Sequence, residues 1–152
     1  MNFPISSVQD LEHISSSAKW QYFEKLTAFI FDQNGYEAKQ NVIAKFEGTK
    51  RQFDVIAKGT GKTFLVECKK WKSRKEMAPA LKSAVRNHLE RCAVYSAMHD
   101  SENVLPLLVT LAESEILQHE DTFIVPIMKL NWFINNFDGA RILIKIAHKN
   151  NY

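Results

Sequence analysis

The chain has 152 residues, of which 45% are apolar and 24% charged, with a net charge of +3. This balance is typical of a single globular domain, and it excludes a disordered, collagen-like or low-complexity chain. No apolar run approaches the roughly 18 residues that span a bilayer, and the first residues lack the pattern of a secretory signal. Cys68 and Cys92 are too few for a disulfide scaffold or a structural zinc site, so we expect a reduced, cytoplasmic protein without a membrane partner.

Hydrophobic spacing and turn residues predict the following elements in chain order. The first half gives a short helical piece near 7–14, an amphipathic helix over about 17–34, an extended segment over 37–46, and strands over 52–57 and 63–71 joined by a glycine-rich turn at 58–62. The second half gives a helix over about 78–98, strands over 104–111 and 123–128, a helix over 130–137 and a terminal strand over 142–146.

Two details of the second half concern orientation. In the long helix, the apolar residues Leu81, Val85, Leu89 and Ala93 fall on one face. Pro126 indicates a bulge or an edge position in the strand that contains it. This order of elements predicts an α/β fold, in which a central mixed β-sheet is flanked by helices and residues 1–152 form a single domain.

The strand over 63–71 carries the residues of greatest chemical interest. Because side chains alternate along a strand, Glu67 and Lys69 share one face, while Phe64, Val66 and Cys68 point to the other, into a core. The preceding strand contains Asp54, and the hairpin turn brings the two strands together. We expect the carboxyl groups of Asp54 and Glu67 to approach if the register or a bulge supplies an offset of one residue.

Two carboxylates held close together repel each other unless a positive charge lies between them. A Mg²⁺ ion meets this need, since it takes oxygen ligands and completes its shell with water and phosphate oxygens. Beside such an ion, Lys69 would orient the attacking water and neutralise charge that develops on a phosphate. The competing interpretation is a surface ion pair between Glu67 and Lys69, with Asp54 at a strand end.

The basic residues are concentrated in one segment. Between Lys39 and Lys75 lie eleven basic residues and three acids, so this segment carries +8 while the rest of the chain carries −5. Such a block can bind a polyanion or can be a solvated face without a partner. The candidates for contacts with phosphate groups are the basic residues at or near the two central strands: Arg51, Lys70, Lys72, Arg74 and Lys75.

Other signals do not indicate a site. The segment 59–63 resembles the end of a phosphate-binding loop, but Ile56 stands where that motif needs glycine and a strand follows instead of a helix, so we expect no nucleotide cofactor. The five histidines lack ligand spacing, and no role is assigned to them.

The order Asp54, hairpin, Glu67-Cys68-Lys69 resembles the active-site motif of the PD-(D/E)XK nuclease superfamily. The likeness extends to the segments 19–38, 51–56 and 66–71, which are similar to Mrr-like restriction endonucleases, and it covers about residues 17–112. Phe53 stands where the motif often has proline, and Glu67 stands where Mrr-type members often have glutamine.

The resemblance implies a restriction-endonuclease-like core over about 17–112, followed by a C-terminal extension of strand, helix and strand. It implies that Asp54, Glu67 and the main-chain carbonyl of Cys68 bind Mg²⁺, with Mn²⁺ as a substitute. Lys69 would be the catalytic lysine. Glu24 matches an acidic residue that many members supply from the first helix.

The function expected from this resemblance is a Mg²⁺-dependent endodeoxyribonuclease that hydrolyses DNA phosphodiester bonds. Because a double-strand break needs two nicks, the expectation includes a homodimer. The alternatives are a nuclease selective for Holliday junctions or other DNA structures, and a catalytically silent DNA-binding module of the same fold.

Overall fold

The computed structural model describes residues 20–59, 61–100 and 102–138. Its elements are α1 (Trp20–Gln33), β1 (Glu37–Phe46), β2 (Thr49–Gly59), β3 (Lys62–Lys69), α2 (Arg74–Met98), β4 (Val104–Thr110), β5 (Leu117–His119), β6 (Thr122–Pro126) and α3 (Ile127–Asn135). The helical piece expected near 7–14 and the strand expected over 142–146 lie outside the described residues.

The six strands form one mixed sheet in the order β1-β2-β3-β4-β6-β5. β1, β2 and β3 are antiparallel neighbours, whereas β3, β4 and β6 run parallel. The predicted mixed sheet with flanking helices is therefore confirmed. The sequence analysis missed β5, a three-residue edge strand that carries no apolar run. No helix in the described part of the chain has the length and apolar character needed to cross a bilayer.

Both faces of the sheet are covered by helices. On one face, α1 and α3 pack on Phe64, Val66 and Cys68 of β3, and these three side chains are at most 2% exposed. On the other face, Leu65 packs with Cys92 and Tyr95 of α2. The predicted alternation along β3 is confirmed. Glu67, which is on the same face of the strand as Leu65, lies beneath α2.

The buried face of α2 is wider than the apolar pattern of the sequence indicated. Ala93 is exposed, and the buried surface includes His88, Cys92 and Tyr95. Val85 is buried, whereas Leu81 and Leu89 are half-buried at the margin. Val85 packs with Leu108 and Ile124 of the sheet, and Leu81 and Leu89 pack against the same cluster. The apolar pattern did not indicate that a histidine also occupies a core position on this helix.

The first residue of α2 is Arg74, four residues before the predicted start. The Ser73 hydroxyl accepts the Glu76 N–H at 3.2 Å, and the Glu76 carboxylate accepts the Lys72 N–H at 3.0 Å. These reciprocal bonds satisfy amide groups that the first turn leaves without helical partners. They also fix the basic segment that follows β3.

Pro126 has a different role from the one predicted. β6 lies between β4 and β5, so it is not an edge strand, and the pairing of Thr110 with Pro126 continues a regular register. Pro126 ends β6 and is the N-cap of α3. Its fixed φ suits this junction, where the chain leaves the sheet.

The hairpin of β2 and β3 contains a close approach that only glycine permits. A Cβ at Gly59 would lie 2.4 Å from Cε2 of Tyr36. The Tyr36 ring packs against Phe31 and Phe64, with ring centroids 5.5 and 5.7 Å away, so it has little room to move.

We expect Gly59→Ala to lower the free energy of unfolding by at least about 1 kcal/mol, because it overpacks this cluster. Urea denaturation measures the loss. In a Tyr36→Leu background the same substitution should cost less, and an equal cost in both backgrounds would contradict the steric explanation.

Candidate functional site

The register of the β2–β3 hairpin places Asp54 opposite Glu67. The paired residues run from Gly59 and Lys62 to Val55 and Val66, and the next pair in this register is Asp54 with Glu67. Relative to a turn centred on 58–62, this register is shifted by one residue, which is the offset that the sequence analysis required. The regular ladder ends at this point, and Oδ2 of Asp54 accepts the Cys68 N–H at 2.8 Å. This bond fixes the Asp54 carboxyl across the strand ends.

Glu24 of α1 faces the same carboxyl from the other side. Burial, followed by the charge and hydrogen bonding of Asp54, raises the pKa of Glu24. Burial and then the charge of Asp54 raise the pKa of Glu67 to about 7, against the lowering effect of Arg91 and Lys69. The structure therefore brings Glu24, Asp54 and Glu67 together, with Asp54 between the two glutamates.

The Glu67 side chain is 15% exposed and forms an ion pair with a residue of α2. A guanidinium nitrogen of Arg91 donates to its Oε2. Nδ1 of His88 lies 4.0 Å from the same oxygen. The proposed surface ion pair between Glu67 and Lys69 is thus not the main contact of Glu67, which is a half-buried group between β3 and α2.

His88 is fully buried in a defined orientation. Its Nε2 lies 2.8 Å from the carbonyl oxygen of Leu65, which can only accept a hydrogen bond, so Nε2 carries the hydrogen and Nδ1 a lone pair. Nδ1 has no hydrogen-bond partner within the described ranges. Burial lowers the pKa of His88 to about 4, so the ring is neutral at pH 7.

The sequence analysis missed both His88 and Arg91. The available signal was their spacing of three residues, which places two polar side chains on one face of a helix. That face meets Glu67 because α2 packs over β3, and the hydrophobic pattern alone did not show where along the helix this contact lies.

Lys69 lies two residues beyond Glu67 on the same side of β3, as predicted, and its charge acts on the Glu67 carboxyl. Cys68 between them is 2% exposed, and its thiol donates a weak hydrogen bond to Oγ1 of Thr27 at 3.7 Å. Burial raises the pKa of this thiol. The Cys68 side chain therefore belongs to the core, while its backbone faces the acidic cluster.

The predicted DNA-binding residues fall into two groups. Lys70, Lys72, Arg74 and Lys75 are exposed and follow β3 directly. Arg74 also lines an open cavity of about 360 Å³ together with Lys129. Arg51 lies on β2 and its guanidinium donates to both carboxylate oxygens of Glu90, at 2.6 to 3.0 Å.

The donor set fits a hard divalent cation. Asp54 and Glu67 supply carboxylate oxygens, which Mg²⁺ prefers. A cation would offset the burial and the repulsion from Asp54 that together raise the pKa values of Glu24 and Glu67. Among the described residues, no group of three or more His, Cys, Asp and Glu side chains is arranged to hold a metal ion by itself. An ion here would complete its shell with backbone, water or phosphate oxygens, as Mg²⁺ commonly does.

Comparisons with known proteins identify a family for this chain. Residues 15–113 match the Mrr_cat family, described as restriction endonuclease. A relative from Archaeoglobus fulgidus, an uncharacterized protein, is 26% identical over 118 residues, which are 78% of this chain and 91% of the relative.

Two solved structures are similar to the chain. The small subunit of the heterodimeric restriction endonuclease R.BspD6I is 17% identical, with 86% of this chain and 78% of that chain covered and a TM-score of 0.50. The protein of unknown function AF1548 is 21% identical, with a TM-score of 0.44 and 61% of this chain covered. This chain covers 49% of AF1548, about half of its length.

The family match covers well over half of the chain and includes every residue of the acidic cluster. The sheet order and helix placement agree with the fold of the restriction endonuclease subunit. The chain therefore belongs to the Mrr-type restriction endonuclease family of the PD-(D/E)XK superfamily.

Proposed function

We propose that this protein is a Mg²⁺-dependent endodeoxyribonuclease that hydrolyses DNA phosphodiester bonds, with residues 1–152 acting as one domain. The observation that carries the proposal is the position of Asp54. Its carboxyl is fixed by the Cys68 N–H and lies between Glu24 and Glu67, with Lys69 on the adjacent strand. Membership of a restriction endonuclease family supports the same reaction class.

Each residue of the cluster has a role in this proposal. Asp54, Glu67 and the main-chain carbonyl of Cys68 would hold Mg²⁺, or Mn²⁺ in its place. When bound, the ion would polarise the phosphodiester and lower the pKa of a water molecule. Lys69 would orient the attacking water and neutralise charge on the phosphate. Glu24 would hold the Asp54 carboxyl from the α1 side.

The basic residues would bind the sugar–phosphate backbone. Lys70, Lys72, Arg74 and Lys75 are exposed next to the end of β3, which places four positive charges beside the cluster. Phosphate contacts of this kind make binding salt-dependent and position the duplex without reading its sequence. Arg51 would join them only by leaving Glu90.

For the assembly we propose a homodimer, since cutting both strands of a duplex needs two nicks. The similar restriction endonuclease subunit comes from a heterodimeric enzyme, which makes a second chain reasonable. For the compartment we propose the cytoplasm, where the buried free thiols of Cys68 and Cys92 would stay reduced.

The test is cleavage of supercoiled plasmid by the purified chain. We expect nicking in Mg²⁺ or Mn²⁺ and none in EDTA. Linear duplex and a four-way junction are compared in parallel, because preferential cutting of the junction would favour the structure-selective enzyme. Salt-dependent DNA binding without any cleavage would overturn the proposal in favour of a silent binding module.

Lys69→Met should lower the cleavage rate by about 10²- to 10³-fold, since it removes the ammonium that would stabilise charge on the phosphate. Single-turnover cleavage rates measure the effect. Lys82→Met is the matched control, because it removes the same charge from an exposed position on α2. Equal rates in the wild type and Lys69→Met would show that Lys69 is not catalytic.

A further inference from the structure

Within the part of the chain that the structure describes, Arg91 is the cationic side chain in direct contact with Glu67. The Asp54 carboxyl opposite it is repulsive, and Nδ1 of His88 presents a lone pair at 4.0 Å. The Arg91 guanidinium donates to the Glu67 carboxylate and is the cation with the larger effect on its charge, ahead of Lys69. Arg91 therefore balances the negative charge of Glu67, as a bound metal ion would.

The acid next to Arg91 on α2 feels the charge of Arg91 but takes its hydrogen bonds from another residue. The adjacent residue Glu90 is held by Arg51 through both carboxylate oxygens. The Arg91 side chain is 29% exposed, so its guanidinium can reach solvent by a change of rotamer. If Glu67 were neutralised by another cation, Arg91 would lose its partner while remaining at the rim of the acidic cluster.

We propose that Arg91 is the internal counter-ion of Glu67, which a divalent cation displaces, and that its released guanidinium then binds a phosphate oxygen of the nucleic acid. This exchange, in which a divalent cation replaces Arg91 as the partner of Glu67, rests on the proposed function because it concerns the same acidic cluster. It assigns Arg91 a place in the site that the family motif does not contain. It also makes cation binding and phosphate binding reinforce each other, since coupling between two ligands is reciprocal.

The exchange predicts that removing Arg91 strengthens cation binding. A guanidinium in contact with Glu67 competes with any second cation for the same charge, so Arg91→Met should bind Mn²⁺ about tenfold more tightly than the wild type. Titration calorimetry of the EDTA-stripped full chain measures this affinity. Arg91→Lys keeps the charge with fewer donors and should fall between the two.

Arg86→Met is the matched control, because it removes the same charge from an exposed position of α2 and should leave Mn²⁺ affinity unchanged. Thermal melting of each variant shows whether it is folded, and Arg91→Lys tests the direction of the effect if Arg91→Met does not fold. Equal or weaker Mn²⁺ binding by the folded Arg91 variants would overturn the exchange.

The second half of the proposal is tested with DNA. Fluorescence anisotropy gives the affinity for a short duplex in Ca²⁺ and in EDTA, and the ratio of the two affinities measures the coupling. We expect this ratio to be about fivefold smaller in Arg91→Met than in the wild type. An unchanged ratio would overturn the phosphate contact.

The outcomes separate this inference from the proposed function. If the wild type cleaves DNA in Mg²⁺ but Arg91→Met does not bind Mn²⁺ more tightly, only the exchange is wrong. If neither protein binds Mn²⁺ and the wild type does not cleave, the exchange and the proposed function both fail.

Discussion

Asp54→Asn is expected to abolish DNA cleavage while it stabilises the cation-free fold. Asparagine keeps an oxygen that accepts the Cys68 N–H, so the hydrogen bond at 2.8 Å can persist. It removes the negative charge that faces both Glu24 and Glu67. Loss of a carboxylate ligand should lower the cleavage rate by about 10³-fold or more, since the bound ion supplies several kcal/mol of transition-state stabilisation.

The gain in stability follows from the same charge. Asp54 raises the pKa of its two glutamate neighbours because like charges repel in a partly buried site. Removing it should increase the free energy of unfolding in EDTA by about 1 kcal/mol at pH 8. Functional sites commonly carry such a stability cost.

Single-turnover cleavage in Mg²⁺ and urea denaturation in EDTA measure the two effects on the same preparation. Asp121→Asn is the matched control, because Asp121 is an exposed acid between β5 and β6. A purely structural Asp54 would behave in the opposite way: the asparagine variant would be less stable and would still cut.

The central hairpin could be predicted because local rules determine it. The glycine-rich turn fixes the register, and counting outward from it places Asp54 near Glu67. The alternation of apolar and polar residues along β3 then separates Cys68 from its two charged neighbours. The offset of one residue that brings the two carboxyl groups opposite each other comes from the turn, which is shorter than the segment 58–62.

The partners of these residues could not be predicted from local rules. Glu24 reaches Asp54 only through the packing of α1 on the sheet, and it was identified through the family resemblance. Arg91 and His88 depend on the rotation of α2 about its axis. That rotation is set by which side chains fit against β3, and a neutral histidine bonded to the Leu65 carbonyl fits as well as an apolar residue.

Between pH 7 and 5, the stability of the cation-free wild type should change little, because two buried groups act in opposite directions. The pKa of Glu67 rises from 4.5 to about 7 on folding, so the folded state binds its proton more tightly than the unfolded state. Acidification over this range should stabilise the fold through Glu67 by about 2 kcal/mol.

His88 has the opposite sign. Its pKa falls from 6.5 to about 4 on folding, so below pH 6.5 the unfolded state takes up a proton that the folded state does not. The stability that the neutral His88 ring contributes is present above pH 6.5 and is lost as the pH falls toward 4. Between pH 7 and 5 the loss should be about 2 kcal/mol, close to the gain from Glu67.

Removing either Glu67 or His88 should therefore reveal the pH dependence of stability that the other residue causes. Glu67→Gln is expected to lose about 2 kcal/mol between pH 7 and 5, and His88→Gln to gain a similar amount, as judged by urea denaturation in EDTA. His119→Gln, in the edge strand β5, should follow the flat wild-type profile. Parallel profiles of unfolding free energy against pH for all four proteins would mean that burial does not shift the pKa values of Glu67 and His88. Glu67 would then be ionised like an ordinary surface acid when no cation is bound.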